Sequence, residues 1–236
     1  MSNLYQLLIY QPLFNLLIFF YNLCGNNLGW SVIVVTFLLR LLLWPWYQKN
    51  AFTQRLLSRL QSKFSDIQKK YKSDPQQQTK EMMALYRQYK INPSGLFLFM
   101  VVQFVLLYAL FRLFQNILAK PNFNIFLYHF ISAPASISTH FFGLDLAQPN
   151  FILAIILALA QHLQSKISFK TIAANKMTRL NQSLVLYFMP AFIFVIYLKL
   201  PAILGLYWFI MVLFGFIQET IANRQFSKWN EQQNIK

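Results

Sequence analysis

Arg40 is the residue whose position most needs a reason. It lies about six residues, or roughly 9 Å at 1.5 Å per residue, inside the end of an apolar run from Leu28 to Trp46 that carries no other charge. A guanidinium at that depth is costly in hydrocarbon and usually serves a function. The bland alternative is a long side chain that reaches back to the headgroups. Thr36 sits one turn away on the same face. Other apolar runs carry amides: Gln103, then Gln161 and Gln164, then Gln218, which shares a helical face with Tyr207, Met211 and Phe214. Each amide alone is explained by a hydrogen bond between two helices. Arg40 and four amides spread over four apolar runs point instead to a wet interior.

The chemistry open to such a cluster is binding. Only Glu219, near the end of the last run, could accompany Arg40 inside a bilayer, whereas a proton or cation pump needs carboxylates at depth. An unpaired cation in a polar cavity attracts an acidic group brought by a substrate, because low-dielectric walls strengthen the attraction. His129, His140 and His162 lack metal-ligand spacing, the six glycines form no phosphate-binding loop, and no Ser/His/Asp arrangement has a supporting motif. No enzyme activity, metal or cofactor is expected. Cys24 is the single cysteine, which rules out an intrachain disulfide, and Phe20-Tyr21-Asn22-Leu23 before it lacks the small residues that precede a lipid-modified cysteine.

The elements that must position these residues follow from composition. The 236 residues are 57% apolar and only 11% charged, against about 25% charged in ordinary soluble domains. Several runs approach the roughly 20 apolar residues that a bilayer core requires. An all-α integral membrane fold with five spans is expected: 28–46, 96–115, 150–166, 184–199 and 203–221. Residues 4–23 are interrupted by Gln6, Gln11, Pro12 and Asn15 and read as an interfacial helix, the alternative being a further span that would put the N-terminus inside. Residues 47–92 are rich in Gln, Lys and Arg, and their apolar residues recur at helical spacing on either side of Lys72-Ser73-Asp74-Pro75, predicting a helical hairpin. On it Met82, Met83, Tyr86 and Arg87 are a candidate docking surface, the plainer reading being that the hairpin helices pack on each other.

Charge sets the orientation. Of 21 Lys and Arg against 6 Asp and Glu, ten fall between Lys49 and Lys90, and most others in the loop 167–183, with Lys176 and Arg179, or the tail 222–236. The positive-inside rule puts these on the cytoplasmic face, with the N-terminus and the loop 116–149, which holds only Lys120, outside. Charge that follows topology in this way argues against nucleic-acid recognition. The N-terminus lacks the basic region and cleavage site of a secretory signal, so no processing is expected.

These residues resemble the YidC family of membrane-protein insertases from about Gln11 to Asn223. The resemblance rests on Gln11-Pro12-Leu13, Gly25-Asn26, and Val34-Val35-Thr36-Phe37-Leu38-Leu39-Arg40 followed by Pro45. It continues through Glu81-Met82-Met83-Ala84-Leu85-Tyr86-Arg87 to Asn92-Pro93 and Gly143-Leu144-Asp145-Leu146. Met189-Pro190, Pro201-Ala202, Leu206-Tyr207-Trp208 and Gln218 complete it. The length is similar to that of the small form, which lacks a large periplasmic domain. Where the family has a Gly-Gly-Cys-Pro type stretch and a proline after its glutamine, this chain has Ser94-Gly95-Leu96-Phe97 and Gln103-Phe104-Val105, which implies a straighter second span.

The resemblance implies a hydrophilic groove open to cytoplasm and lipid, with Arg40 as its positive charge. Into it the polar tail of a nascent membrane protein is drawn, while the adjoining apolar segment slides out along the third and fifth spans. The hairpin would recruit ribosomes, targeting factors or a translocation channel. Two readings from other classes stand beside this one, a transporter or channel for a small anion and a scaffold that assembles partners without inserting them.

Overall fold

The computed structural model describes residues 3–119, 126–172 and 184–234, so the expected basic residues Lys176 and Arg179 and the loop residue Lys120 lie outside the described residues. Helix α1 comprises Asn3–Tyr5, a π-helical turn Gln6–Tyr10, and Gln11–Leu23. Next come α2 (Leu28–Leu42), α3 (Trp44–Arg59), α4 (Gln61–Lys70), α5 (Pro75–Gln88) and α6 (Pro93–Leu118). A short antiparallel pair follows, β1 (His140–Phe141) with β2 (Leu144–Asp145). Then come α7 (Phe151–Ile172), α8 (a π-helical turn Leu184–Phe188 and Met189–Tyr197) and α9 (Ala202–Asn234).

The helix starts follow local chemistry. Asn27, Asp74 and Asn92 accept from the backbone N–H three residues on and cap α2, α5 and α6. Pro45, Pro75 and Pro93 stand in first turns, where the missing N–H costs nothing. Pro45 also explains a departure from the expected span 28–46. Without a donor at Pro45 the ladder breaks at Leu43, and α3 leaves α2 at 65°. Helix α3 thus starts at Trp44, inside the expected span.

The helices are those of an all-α integral membrane protein. Gln6–Leu23, Pro93–Leu118, Phe151–Ser168 and Ala202–Gln232 are each long and apolar enough to cross a bilayer, and α2 with α3 forms one bent pair of the same kind. α6 is unbroken for 26 residues. α9 does not stop near Ile221 but runs on for 33 residues in all. Phe97 and Ile152 are 64% and 65% exposed, a burial pattern suited to hydrocarbon and not to water.

One apolar core closes the end of the bundle opposite the hairpin. It joins Phe14, Leu17 and Ile18 of α1, Val32 and Val35 of α2, Leu113 and Phe114 of α6, and Ile203 and Tyr207 of α9. Phe141 and Leu146 complete it from the connection before α7, and a Cβ on Gly29 would stand 2.2 Å from the Phe141 ring. α1 is tied along this end by polar contacts: Asn15 bonds the backbone of Phe126 and Tyr128, Tyr21 that of Ser136 and Ser138, and Asn22 that of Ser132.

A second, smaller core holds the hairpin. Leu56, Leu60, Phe64, Leu85 and Ile91 form its centre, with Met82 and Tyr86 packed against them. Phe226 and Trp229 of α9 reach the same cluster, Phe52 lying 5.8 and 6.1 Å from their rings. The long last helix therefore braces the base of the hairpin.

Candidate functional site: a polar cavity around Arg40

The bend at Leu43 sets the geometry around Arg40. Because α3 turns away there, Tyr47 comes back over Arg40, and the guanidinium carbon lies 4.1 Å from the Tyr47 ring centroid. The Tyr47 hydroxyl donates to Gln103 Oε1. On the opposite wall Arg40 Nε donates to Met211 Sδ at 2.8 Å, and an Arg40 terminal nitrogen reaches Gln218 Oε1 at 3.4 Å. Arg40 is only 8% exposed, so it does not snorkel to the surface, and no carboxylate pairs with it among the described residues. An ion so placed is tolerable only against polar groups and water.

These contacts line a cavity of about 310 Å³. Its walls are Arg40, Tyr47, Asn50 and Gln54 from α2 and α3, Gln103 from α6, Gln161 and Gln164 from α7, and Met211 and Gln218 from α9. The expected site residues are therefore brought together, with two qualifications. Thr36 donates to Val32 O at 2.6 Å and faces a small space beneath Arg40, and Tyr207 is shared with that space and not with the main cavity. Gln161 faces Trp208 Nε1 at 3.4 Å, and Gln164 lies against Gly215, where a Cβ would meet its Nε2 at 1.8 Å. The buried amide nitrogen of Gln218 has no hydrogen-bond partner among the described residues, leaving a donor beside the guanidinium.

Glu219 lines the same cavity as Arg40 but does not pair with it. Its carboxylate pairs with Arg55, which also donates to Asn223 Oδ1 at 2.6 Å, Ala51 O at 2.7 Å and Glu219 O at 3.0 Å. This network clamps α3 to α9 at the hairpin end of the cavity. Burial lowers the pKa of Arg55, and the Glu219 charge opposes that shift. Nothing in the sequence distinguishes Arg55 among ten hairpin cations, and Tyr47 comes over Arg40 only because the chain bends at Leu43 between them. Arg112 was missed as well. It lies within α6, and its buried Nε has no hydrogen-bond partner among the described residues.

Beside the polar cavity is a larger apolar one of about 880 Å³. Phe104, Leu107 and Phe111 of α6 form one side and Phe192, Ile193 and Ile196 of α8 the other, with Trp208 of α9 behind. Gln161 and Trp208 belong to both cavities, so polar and apolar spaces adjoin. The apolar space thus lies between the second and fourth expected spans, with Gln161 and Ser165 of the third and Leu204 and Trp208 of the fifth also in its wall. His162, on α7, contacts Leu186 O at 2.7 Å and so ties α7 to α8. Of the docking candidates, Met83 and Arg87 face outward, while Met82 and Tyr86 pack within the hairpin.

Residues 19–230 match the family described as 60Kd inner membrane protein. Membrane protein insertase YidC 2 of Listeria innocua is 31% identical over 231 residues, 95% of this chain and 74% of its own length. Its counterpart from Bacillus anthracis is 30% identical over 88% of this chain and 76% of its own. Membrane protein insertase YidC of Campylobacter jejuni is 30% identical over 93% of this chain, but the match spans only 38% of that longer protein.

Proposed function

Because the chain belongs to the 60Kd inner membrane protein family, which includes the YidC insertases, we propose that it inserts nascent membrane proteins into a bacterial membrane through the cavity around Arg40. The observation that carries this reading is a buried guanidinium with no carboxylate partner among the described residues, in a polar cavity that adjoins an apolar one.

In this reading a short hydrophilic tail enters from the hairpin side, and its acidic group replaces Met211 and Gln218 on the guanidinium. The charge-assisted bonds so formed are stronger than those given up. The opposite end is closed by the core between α1 and α9, so the tail is not exposed on both sides at once. The apolar segment that follows enters the space between α6 and α8 and passes into lipid. Transfer of roughly 20 residues at about −0.3 to −0.6 kcal/mol for each strongly apolar one supplies on the order of 10 kcal/mol. The cavity lowers the barrier for the polar tail, and no covalent step is needed.

The proposed topology has the N-terminus out and the C-terminus in, with α1 in the outer interface and the hairpin in the cytoplasm. The outward-facing Met83 and Arg87 would meet a ribosome, a targeting factor or a translocation channel.

The test is reconstitution of the protein alone in liposomes, scoring protease-protected insertion of a single-span client with an acidic tail. Wild type and Arg40→Lys are expected to insert it, and Arg40→Ala to fail. Undiminished insertion by Arg40→Ala would remove Arg40 from the mechanism. No insertion by wild type, or anion flux without any client, would sink the insertase reading.

A further inference from the structure

At the junction of bundle and hairpin lie two further adjoining cavities, the smaller sharing only Asn50 with the Arg40 cavity. One, of about 540 Å³, is lined by Lys49, Thr53, Lys90 and Trp229 with apolar Phe52 and Leu56. The other, of about 120 Å³, shares Lys49, Thr53 and Lys90 and adds Trp46, Asn92 and Leu96. No acidic side chain among the described residues lines either space. Two more cations flank the larger one by way of its aromatic walls. Lys63 donates to the Tyr89 hydroxyl at 2.8 Å, and the Arg59 guanidinium lies 5.4 Å from the Trp229 ring.

Lys90 is placed there at a cost. It ends α5 with φ 53°, the left-handed conformation in which glycine is the usual residue, and its N–H donates to Arg87 O while Ile91 N–H donates to Tyr86 O at 2.8 Å. A lysine held where glycine is easier keeps its side chain beside the cavity. The level in the membrane is set by neighbours. Trp46 lies just past the bend of the first span, and Leu96 and Phe97 begin the apolar part of α6, so the cavities stand where hydrocarbon gives way to headgroups.

We propose that these cavities, between Lys49 and Lys90, hold the headgroup of one anionic phospholipid from the leaflet on the hairpin side. Its phosphate would lie between the two ammonium groups, with Thr53 as a further donor, and its chains would leave past Trp46 and Leu96 along α6. Basic recesses between helices at this level suit acidic headgroups. The lipid would tie α3, the α5–α6 connection and the bilayer surface together, fixing the hairpin over the polar cavity. This needs the membrane placement of the bundle and not the insertase reading. The narrow recess with its apolar walls favours a lipid over the backbone of a nucleic acid.

The test is native mass spectrometry of the detergent-solubilised full chain titrated with phosphatidylglycerol or phosphatidylcholine. Wild type is expected to retain one phosphatidylglycerol in preference to phosphatidylcholine. Lys49→Gln with Lys90→Gln should bind it about thirtyfold more weakly, from about 1 kcal/mol for each lysine. Lys72→Gln with Lys80→Gln, the same charge loss on exposed parts of the hairpin, should bind as wild type does. Equal loss in both double variants, or equal retention of the two lipids, would overturn the site. So would displacement of the lipid by inorganic phosphate or a short RNA at comparable concentration, which would assign the pocket to another anion.

Discussion

Arg40 and Arg55 are both buried, and their surroundings separate their roles. Arg55 is 3% exposed and spends its donors on Glu219, Asn223 and Ala51, so it is structural. Glu219→Gln is expected to destabilise the protein by about 3 kcal/mol, because one charge of a buried pair is stranded, and thermal unfolding in detergent measures it. Replacing both, Arg55→Met with Glu219→Leu, should cost less than the single change, since no charge is left unpaired. Arg40 instead gives its donors to a thioether and an amide, partners that an acidic group can displace. Tyr47 positions it. Tyr47→Phe keeps the ring over the guanidinium and should retain most insertion, whereas Tyr47→Ala removes about 0.5–2 kcal/mol of cation–π attraction and should reduce it severalfold in the liposome assay.

Helix contacts carry consequences of their own. α2 approaches β1 closely because Gly29 has no side chain, and Gly29→Ala would drive a methyl group into the Phe141 ring. A loss of about 1–3 kcal/mol is expected, with hydrogen exchange faster at the start of α2. The β1–β2 turn has a pH dependence of known sign. Asp145 accepts from the Thr139 side chain and Ala147 N–H, which hold its pKa below the usual carboxylate value near 4. A depressed folded-state pKa makes this contribution complete above the unfolded pKa and lost as pH falls through the lowered value. Asp145→Asn should abolish that pH dependence of local protection below about pH 4. At the other end α9 braces the hairpin through Phe226 and Trp229. Trp229→Ala should speed proteolysis of α3–α5 while leaving the bundle resistant.

The whole molecule is asymmetric along the membrane normal, with a dry core at one end and a polar cavity leading to a basic hairpin at the other. That asymmetry suits a polar tail entering from one side. It predicts that, with Cys24 replaced by serine, a cysteine at Asn3 is labelled by an impermeant thiol reagent from outside intact cells and one at Lys72 only after lysis. Labelling of the Asn3 position only after lysis would invert the topology or make α1 a further span.

How much was readable from residues alone varies with the kind of interaction. Membrane class and the all-α fold follow from local composition and period, because burial in hydrocarbon acts on each helix separately. Arg40 and the four amides were identifiable because polar groups in apolar runs are few. The sequence by itself also determined the family, through motifs that keep their order along the chain. Only the tertiary structure decided that Tyr47 covers Arg40, that Glu219 belongs to Arg55, and that α6 and α8 flank the apolar space. Arg55 and Glu219 stand 164 positions apart, as Arg40 and Met211 stand 171. Such pairings depend on the 65° turn at Leu43 and on which helices pack together, and neither is encoded in any single stretch of chain.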